Sequence, residues 1–172
     1  VSARGGASPS AATARLGTRA KATVGVISDT HGLLRPEAIA ALAGSDLILH
    51  AGDVGGPEIL ARLAAIAPVI AVRGNNDRAP WAFEVPESIA LEIAGAPTFM
   101  LHDAGSLDFE PAERGVAIVV AGHSHRPLVV RRDGALWINP GSAGPRRFKL
   151  PVSVARLIVE HGAGRAEIVT LL

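Results

Sequence analysis

The 172-residue sequence contains no cysteine and no tyrosine, and its aromatic residues are limited to two Trp and four Phe. Without cysteine there is no disulfide, no zinc–thiolate site and no cysteine nucleophile. A metal site would have to draw on His, Asp, Glu or Asn, donors that suit harder divalent ions. With so few aromatics, the core must be built from Ala, Val, Leu and Ile, and 48% of the chain is apolar, enough for a sizeable one. No apolar run reaches the roughly 20 residues that cross a bilayer, and none has the form of a signal-peptide core. A cytoplasmic protein without a membrane partner is therefore expected. Acid is missing from the first 22 residues, which carry Arg4, Arg15, Arg19 and Lys21 and leave thirteen basic against sixteen acidic residues in the remainder. The sequence pI of 8.6 thus belongs to this segment and is poor evidence for a nucleic-acid surface. Residues 1–21, rich in Ala, Ser, Gly and Arg, bury little and read as a disordered leader with a superficial likeness to a transit peptide. One domain is expected from 22 to 172.

Beyond that point the chain alternates. ATVGVIS, from Ala22, is a short β-branched run that predicts a buried strand. A helix follows from Pro36 to Gly44, its proline at a helix start and its glycine at the stop. DLILHAGD predicts a second strand, Pro57 opens a helix through Ala65, and PVIAVRGNND predicts a third strand. This β-α-β-α-β order argues for a parallel core with right-handed crossovers. After it the helical pattern fades. SIALEIAG and APTFMLHD predict a hairpin turning at Gly95, GVAIVVAGHSH a buried strand, and PLVVRRDGALWINPGS a hairpin turning at Asp133-Gly134. The last segment predicts a hairpin turning between His161 and Gly164. Two packed sheets with helices outside them are the expected result.

One pattern recurs: an apolar strand, then a polar cluster. The clusters are Asp29-Thr30-His31, Gly52-Asp53, Gly74-Asn75-Asn76-Asp77, Leu101-His102-Asp103 and Gly122-His123-Ser124-His125. Each alone has a plain structural explanation: Asp29 as a helix cap, Asp53 as a turn residue, Asn75 or Asn76 in a left-handed turn, His102 as a satisfied buried histidine. Five such clusters at strand ends are a different matter, because open α/β sheets place their sites outside the carboxyl ends of strands. In extended chain, residues i and i+2 face one side, so Asp29 with His31, and His123 with His125, are each expected to project as a pair. Asp53 is the natural carboxylate to bridge two ions. Carboxylate, imidazole and amide donors together suit Mn, Fe, Ni, Co or Zn.

Taken in order, DTHG, HAGD, GNND, LHD and GHSH, followed by NPGS, resemble the calcineurin-like metallophosphoesterase superfamily, and within it the small bacterial and archaeal phosphodiesterases related to a retromer scaffold subunit. The resemblance covers roughly residues 22 to 172. It implies a four-layer αββα sandwich of two mixed sheets flanked by helices. It implies two divalent ions, with manganese favoured: one held by Asp29, His31, Asp53 and His125, the other by Asp53, Asn75, His102 and His123. Asn139 to Ser142 would form a loop near the site, with Arg146 or Arg147 meeting phosphate oxygens. Two ions about 3.5–4 Å apart would clamp an in-line displacement at phosphorus, with a water held between them as nucleophile. Asp53, Asn75 and Asn76 would then be the catalytic set and Asn76 and Arg146 the substrate contacts. The substrate would be a small phosphodiester or nucleotide-like molecule.

Two positions depart from the family pattern. Asn76 stands where many of these phosphatases carry a histidine general acid, which implies a preference for good leaving groups such as aryl esters. His102-Asp103-Ala104 replaces a common His-Gly-His, which adds a carboxylate beside the second ion. Around the clusters, His50 is either a support for the site or a structural histidine, and Arg73 and Arg78 are surface charges or phosphate-steering groups. Trp81 and Phe83 are core residues or a stacking surface for a base; Phe99 is expected in the core and His161 on the surface. The alternative function is a protein-binding scaffold on the same fold, against which the complete set of ligand-capable residues speaks. A metal-free nucleotide-binding domain is disfavoured by the absence of GxGxxG or P-loop patterns. Exposed hairpin edges make a homo-oligomer an expectation.

Overall fold

A computed structural model of the chain describes residues 19–172. Strand β1 (Lys21–Ile27) crosses through α1 (Pro36–Leu42) to β2 (Leu47–His50), and α2 (Pro57–Ala64) carries the chain on to β3 (Val69–Ala71). These three strands pair in parallel, as the strand–helix alternation predicts. A hairpin follows, β4 (Ser88–Ile93) with β5 (Ala96–Leu101), then β6 (Ile118–Val120) and the hairpin of β7 (Leu128–Arg132) with β8 (Ala135–Asn139). The chain closes with the hairpin of β9 (Ser153–Glu160) and β10 (Ala163–Thr170).

Two five-stranded sheets result, ordered β10-β9-β1-β2-β3 and β4-β5-β6-β8-β7. The final hairpin lies antiparallel on β1, which makes the first sheet mixed. In the second sheet β5, β6 and β8 run parallel between antiparallel edge strands. Strand alternation sorts the side chains. Val24, Val26, Leu47 and Leu49 face inward, to meet Met100, Ile118, Val120, Leu136 and Ile138 of the second sheet in a core without aromatics. Ile27 and Ile48 face the other way, against Leu42 of α1 and Ile59 and Leu63 of α2.

The expected sandwich is borne out, with a difference in its fourth layer. Among the described residues both α-helices pack on the first sheet. The outer face of the second carries Leu101, Val119 and Ala121, packed by Phe99, Leu107, Val116 and Trp137. The segment above that face makes only short 3-10 turns, Ala104–Ser106 and Pro111–Arg114. The domain also begins earlier than Ala22. Lys21 opens β1 opposite Glu160, the His161 amide donates to the Ala20 carbonyl at 2.8 Å, and Arg19 pairs with Asp46 at 3.1 Å. The rest of the expected leader, residues 1–18, lies outside the described residues. Among the described residues no helix is long and apolar enough to cross a membrane.

Candidate metal centre

The carboxyl ends of β1, β2, β3, β5 and β6 converge, and each polar cluster arrives on the loop that follows one of them. Asp29 is not a helix cap: α1 starts at Pro36 with Arg35 before it. Nor do the side chains pair through extended backbone. Asp29, His31, Asp53, His123 and His125 all have positive φ, from 46° to 67°, whereas Asn75 and Asn76 do not. The i, i+2 argument is thereby corrected. A left-handed backbone at residues with a Cβ costs on the order of 1 kcal/mol or more each, and it persists only where the surroundings enforce it.

The enforcement is a ladder between loops. The Asp29 amide donates to the Gly52 carbonyl, the His31 amide to Asp53 and the Gly32 amide to Val54, each at 2.9 Å. Asp77, the last residue of the third cluster, accepts from the amides of Val54 (3.1 Å), Gly55 (3.0 Å) and Gly74 (2.9 Å), tying the second loop to the third. His50 is fully buried. Its Nδ1 accepts from the Gly52 amide at 3.2 Å, so Nε2 carries the proton and donates to Thr30 Oγ1 at 2.9 Å, which in turn donates to the Val54 carbonyl at 2.8 Å. Burial pushes the His50 pKa down to about 4, against the pull of Asp29 and Asp77, so the ring is neutral. His50 is a support for the loops. From the second sheet, Asn139 donates to the Gly122 carbonyl at 2.8 Å and Ser142 Oγ to the Asp29 carbonyl at 3.0 Å. Two glycines allow the close approach: a Cβ at Gly74 would collide with the Asp53 carboxylate, and one at Gly122 would collide with Ser28 Oγ and the Asp29 carboxylate.

These supports aim particular atoms inward. Ser28 Oγ (2.6 Å) and the His123 amide (3.1 Å) both donate to Asp29 Oδ2, which leaves Oδ1 free. His102 Nδ1 donates to the Ala51 carbonyl at 2.7 Å. Its Nε2 lies 3.4 Å from Asp53 Oδ2 and 3.9 Å from Asp29 Oδ1. His31 Nε2 is 3.7 Å from Asp53 Oδ2 and 3.9 Å from Asp29 Oδ1, and His125 Nε2 is 3.2 Å from that same oxygen. Asp53 therefore faces both groups of histidines.

Four buried atoms here have no hydrogen-bond partner: Asp29 Oδ1, His31 Nε2, His102 Nε2 and His125 Nδ1. Buried polar atoms left without partners are costly, and the three of these that converge, Asp29 Oδ1, His31 Nε2 and His102 Nε2, call for a cation. Asp29, His31 and His125 form one group with donor atoms within 4.8 Å of one another, and Asp29, Asp53 and His102 form a second. The electrostatics agree. Burial works to raise the Asp53 pKa, but the neighbouring His102 imidazole and the hydrogen bonds from Asn76 outweigh it and hold the carboxyl far below its usual range. Burial lowers His31, against Asp53 and Asp29 and with help from Arg147, which favours a neutral imidazole. His102 is also pulled down by burial, yet Asp53, the Ala51 carbonyl and Asp29 raise it above the ordinary value. Protons and a cation would therefore compete for His102 Nε2.

The open side of the centre carries the remaining candidates. Asn75 and His123 are exposed, and Asn75 Oδ1 meets His123 Nδ1 at 3.2 Å. Asn76 holds Asp53 twice, through its amide to Oδ1 at 2.9 Å and its side chain to Oδ2 at 2.8 Å. Arg146 is exposed and donates to the Leu150 carbonyl; of the two arginines, Arg147 lines the cleft beside His123 and His125. Arg73 is committed to Glu87 at 2.8 Å and Arg78 to the Asn75 carbonyl at 3.1 Å. Trp81 packs on the helical side of the first sheet, Phe83 is exposed beneath the Arg73 guanidinium, and Phe99 packs edge-on against Phe109. His161 sits in the exposed final turn. Ser28 has no assigned role in the sequence pattern, and Asp77 stands in it only as the last residue of its cluster. Serine directly before the first Asp, and an acid closing a Gly-Asn-Asn turn, were the available signals.

The chain matches the calcineurin-like phosphoesterase superfamily domain over residues 23–162. A probable metallophosphoesterase of Methanothermobacter thermautotrophicus is 36% identical over 158 residues, covering 85% of this chain and 91% of that protein. Among solved structures, vacuolar protein sorting 29 of Cryptosporidium parvum superposes with a TM-score of 0.71 at 22% identity, over 88% of this chain and 98% of that one. An archaeal phosphodiesterase also superposes at 0.71, with 23% identity, over 86% of this chain and 99% of its own. At such identities the two structures speak for the fold.

Proposed function

Since the chain belongs to the calcineurin-like phosphoesterase superfamily, we propose that it is a hydrolase that uses two divalent metal ions, manganese foremost, to cleave small phosphodiesters. The observation that carries this reading is the convergence of the unpartnered buried atoms Asp29 Oδ1, His31 Nε2 and His102 Nε2 beside the Asp53 carboxylate. Asp29, His31, Asp53 and His125 would hold one ion and Asp53, Asn75, His102 and His123 the other. Bound there, the ions supply Lewis acidity and an activated water.

The chain's own residues do the rest. Asp53 stays ionised across the working pH range because His102 and Asn76 hold its proton affinity down. Asn76 fixes the orientation of that carboxylate and offers no proton to a leaving oxygen, which favours esters whose leaving group departs without one. Arg147 places a cation on the rim beside His125, where it attracts the phosphoryl oxygens. Asp103 places a carboxylate on the opposite rim beside His123, which disfavours a dianionic monoester relative to a monoanionic diester.

The test is hydrolysis of an aryl phosphodiester and an aryl phosphomonoester by metal-stripped protein, with and without added Mn²⁺, alongside Asp53→Ala. Turnover that depends on metal, is greater on the diester, and falls about a thousandfold or more in the variant is expected. Folded protein inactive with every divalent metal tried would turn the assignment to a binding module.

A further inference from the structure

A cavity of about 510 Å³ opens on the outer face of the second sheet, beside the metal centre. It shares Gly122 and Ser124 with the loop that carries His123 and His125, and it runs from there to Trp137 on β8. Leu128 and Pro127 line it with the indole. The Arg132 guanidinium lies 4.3 Å from the Trp137 ring centroid, and Arg126 stands at the wall. Leu128 is 46% exposed, an apolar side chain facing open space. A second cleft, about 390 Å³, leaves the centre on the His102 side and is lined by Arg73, Glu87 and Ser88. The two clefts meet at Asp103. One arm leading from the centre is thus polar, and the other presents apolar walls and guanidinium groups, the surroundings that favour a flat ring.

We infer that the cavity between Leu128, Pro127 and Trp137 is the subsite for a ring-bearing substituent of the phosphoester, an aryl group or a nucleobase. The inference rests on the phosphoesterase reading of the adjacent centre, which would hold the phosphoryl group while the substituent lies along the sheet. Its size exceeds what a methyl or ethyl ester fills, so small alkyl esters gain nothing from it.

Leu128→Asn tests it at an exposed position outside the proposed ligand set and adds no charge. With Mn²⁺-loaded full-length protein, the KM for bis(4-nitrophenyl) phosphate and for the 4-nitrophenyl ester of thymidine 5′-phosphate is measured, together with the Ki of inorganic phosphate, which has no substituent. A KM rise of about tenfold for at least one ring ester, with Ki changed by less than about twofold, is expected. The ester that shifts more names the ring. Unchanged KM values, or a Ki that rises in step with them, would overturn the subsite. Should the protein hydrolyse no ester, the function falls separately, and the subsite is read from binding. Phenylphosphonate should then alter tryptophan fluorescence in the wild type but not in Trp137→Phe, while methylphosphonate leaves it unchanged. No response to phenylphosphonate, or one that persists in Trp137→Phe, would refute it.

Discussion

The centre has a closed half and an open half, and they are held by different means. Asp29, Asp53, His102 and His125 are buried and His31 nearly so. Asp29 and His102 each have one side-chain atom fixed by a hydrogen bond, leaving another to face the centre. Asn75, Asn76 and His123 are exposed, and the His123 ring meets Asn75, the edge of the His102 ring and, at 3.9 Å, Asp103. The closed half is held through bonds among loops. The open half has fewer such bonds, those of Asn76 to Asp53 excepted. The difference teaches that affinity for the ions should reside in one half and response to the substrate in the other.

The largest expected effect breaks the closed half. His102→Ala should weaken Mn²⁺ binding roughly a thousandfold, about 4 kcal/mol, and His123→Ala roughly tenfold; calorimetric titration of metal-stripped protein distinguishes them. Because the His102 pKa is raised, wild-type affinity should fall as the pH drops through that pKa and protons compete for Nε2. Equal losses in the two variants would erase the distinction between the halves.

A smaller effect concerns the support beneath the closed half. The native His50 ring takes a proton only near pH 4, and the unfolded chain's takes one near the ordinary 6.5. The unfolded state therefore binds more protons between those values, so stability is highest above pH 6.5 and declines as the pH falls towards 4. The decline amounts to at most about 3 kcal/mol. Denaturant unfolding at pH 7 and pH 4.5 should show that loss in the wild type and much less of it in His50→Gln.

The smallest effect sharpens the open half. Asp103→Asn should raise monoester turnover relative to diester turnover by about threefold and leave Mn²⁺ affinity nearly unchanged. A matching drop in metal affinity would move Asp103 from the rim to the ligand set.

The strands and the gathering of Asp29, His31, Asp53, His102 and His125 were legible because both follow from short patterns: apolar runs mark β1, β2 and β6, and polar clusters end them. The backbone between them was not. Left-handed conformations are read from Gly and Asn, so Asn75 and Asn76 attracted that reading, while Asp29, His31, Asp53, His123 and His125 adopt it. They do so because contacts from residues far along the chain, up to 113 positions away, over-determine them, and such contacts leave no local trace. For the same reason Ser28 and Asp77, ordinary by composition, have no assigned role in the sequence pattern although they fix Asp29 and the second loop. A one-residue ambiguity in a loop hid which arginine faces the centre, and the cavity at Trp137 needs β7 and β8 folded before its wall exists.

Strand β1 has consequences for how the molecule is made. It carries the first two donors at its end and lies in the middle of its sheet, yet one of its two neighbours is β9, more than 130 residues further along the chain. On a ribosome, β1 emerges early and waits with one edge bare until the closing hairpin arrives, and long-range pairings of this kind form slowly. A chain stopped before β9 would contain every proposed metal ligand and still expose a naked strand beside them.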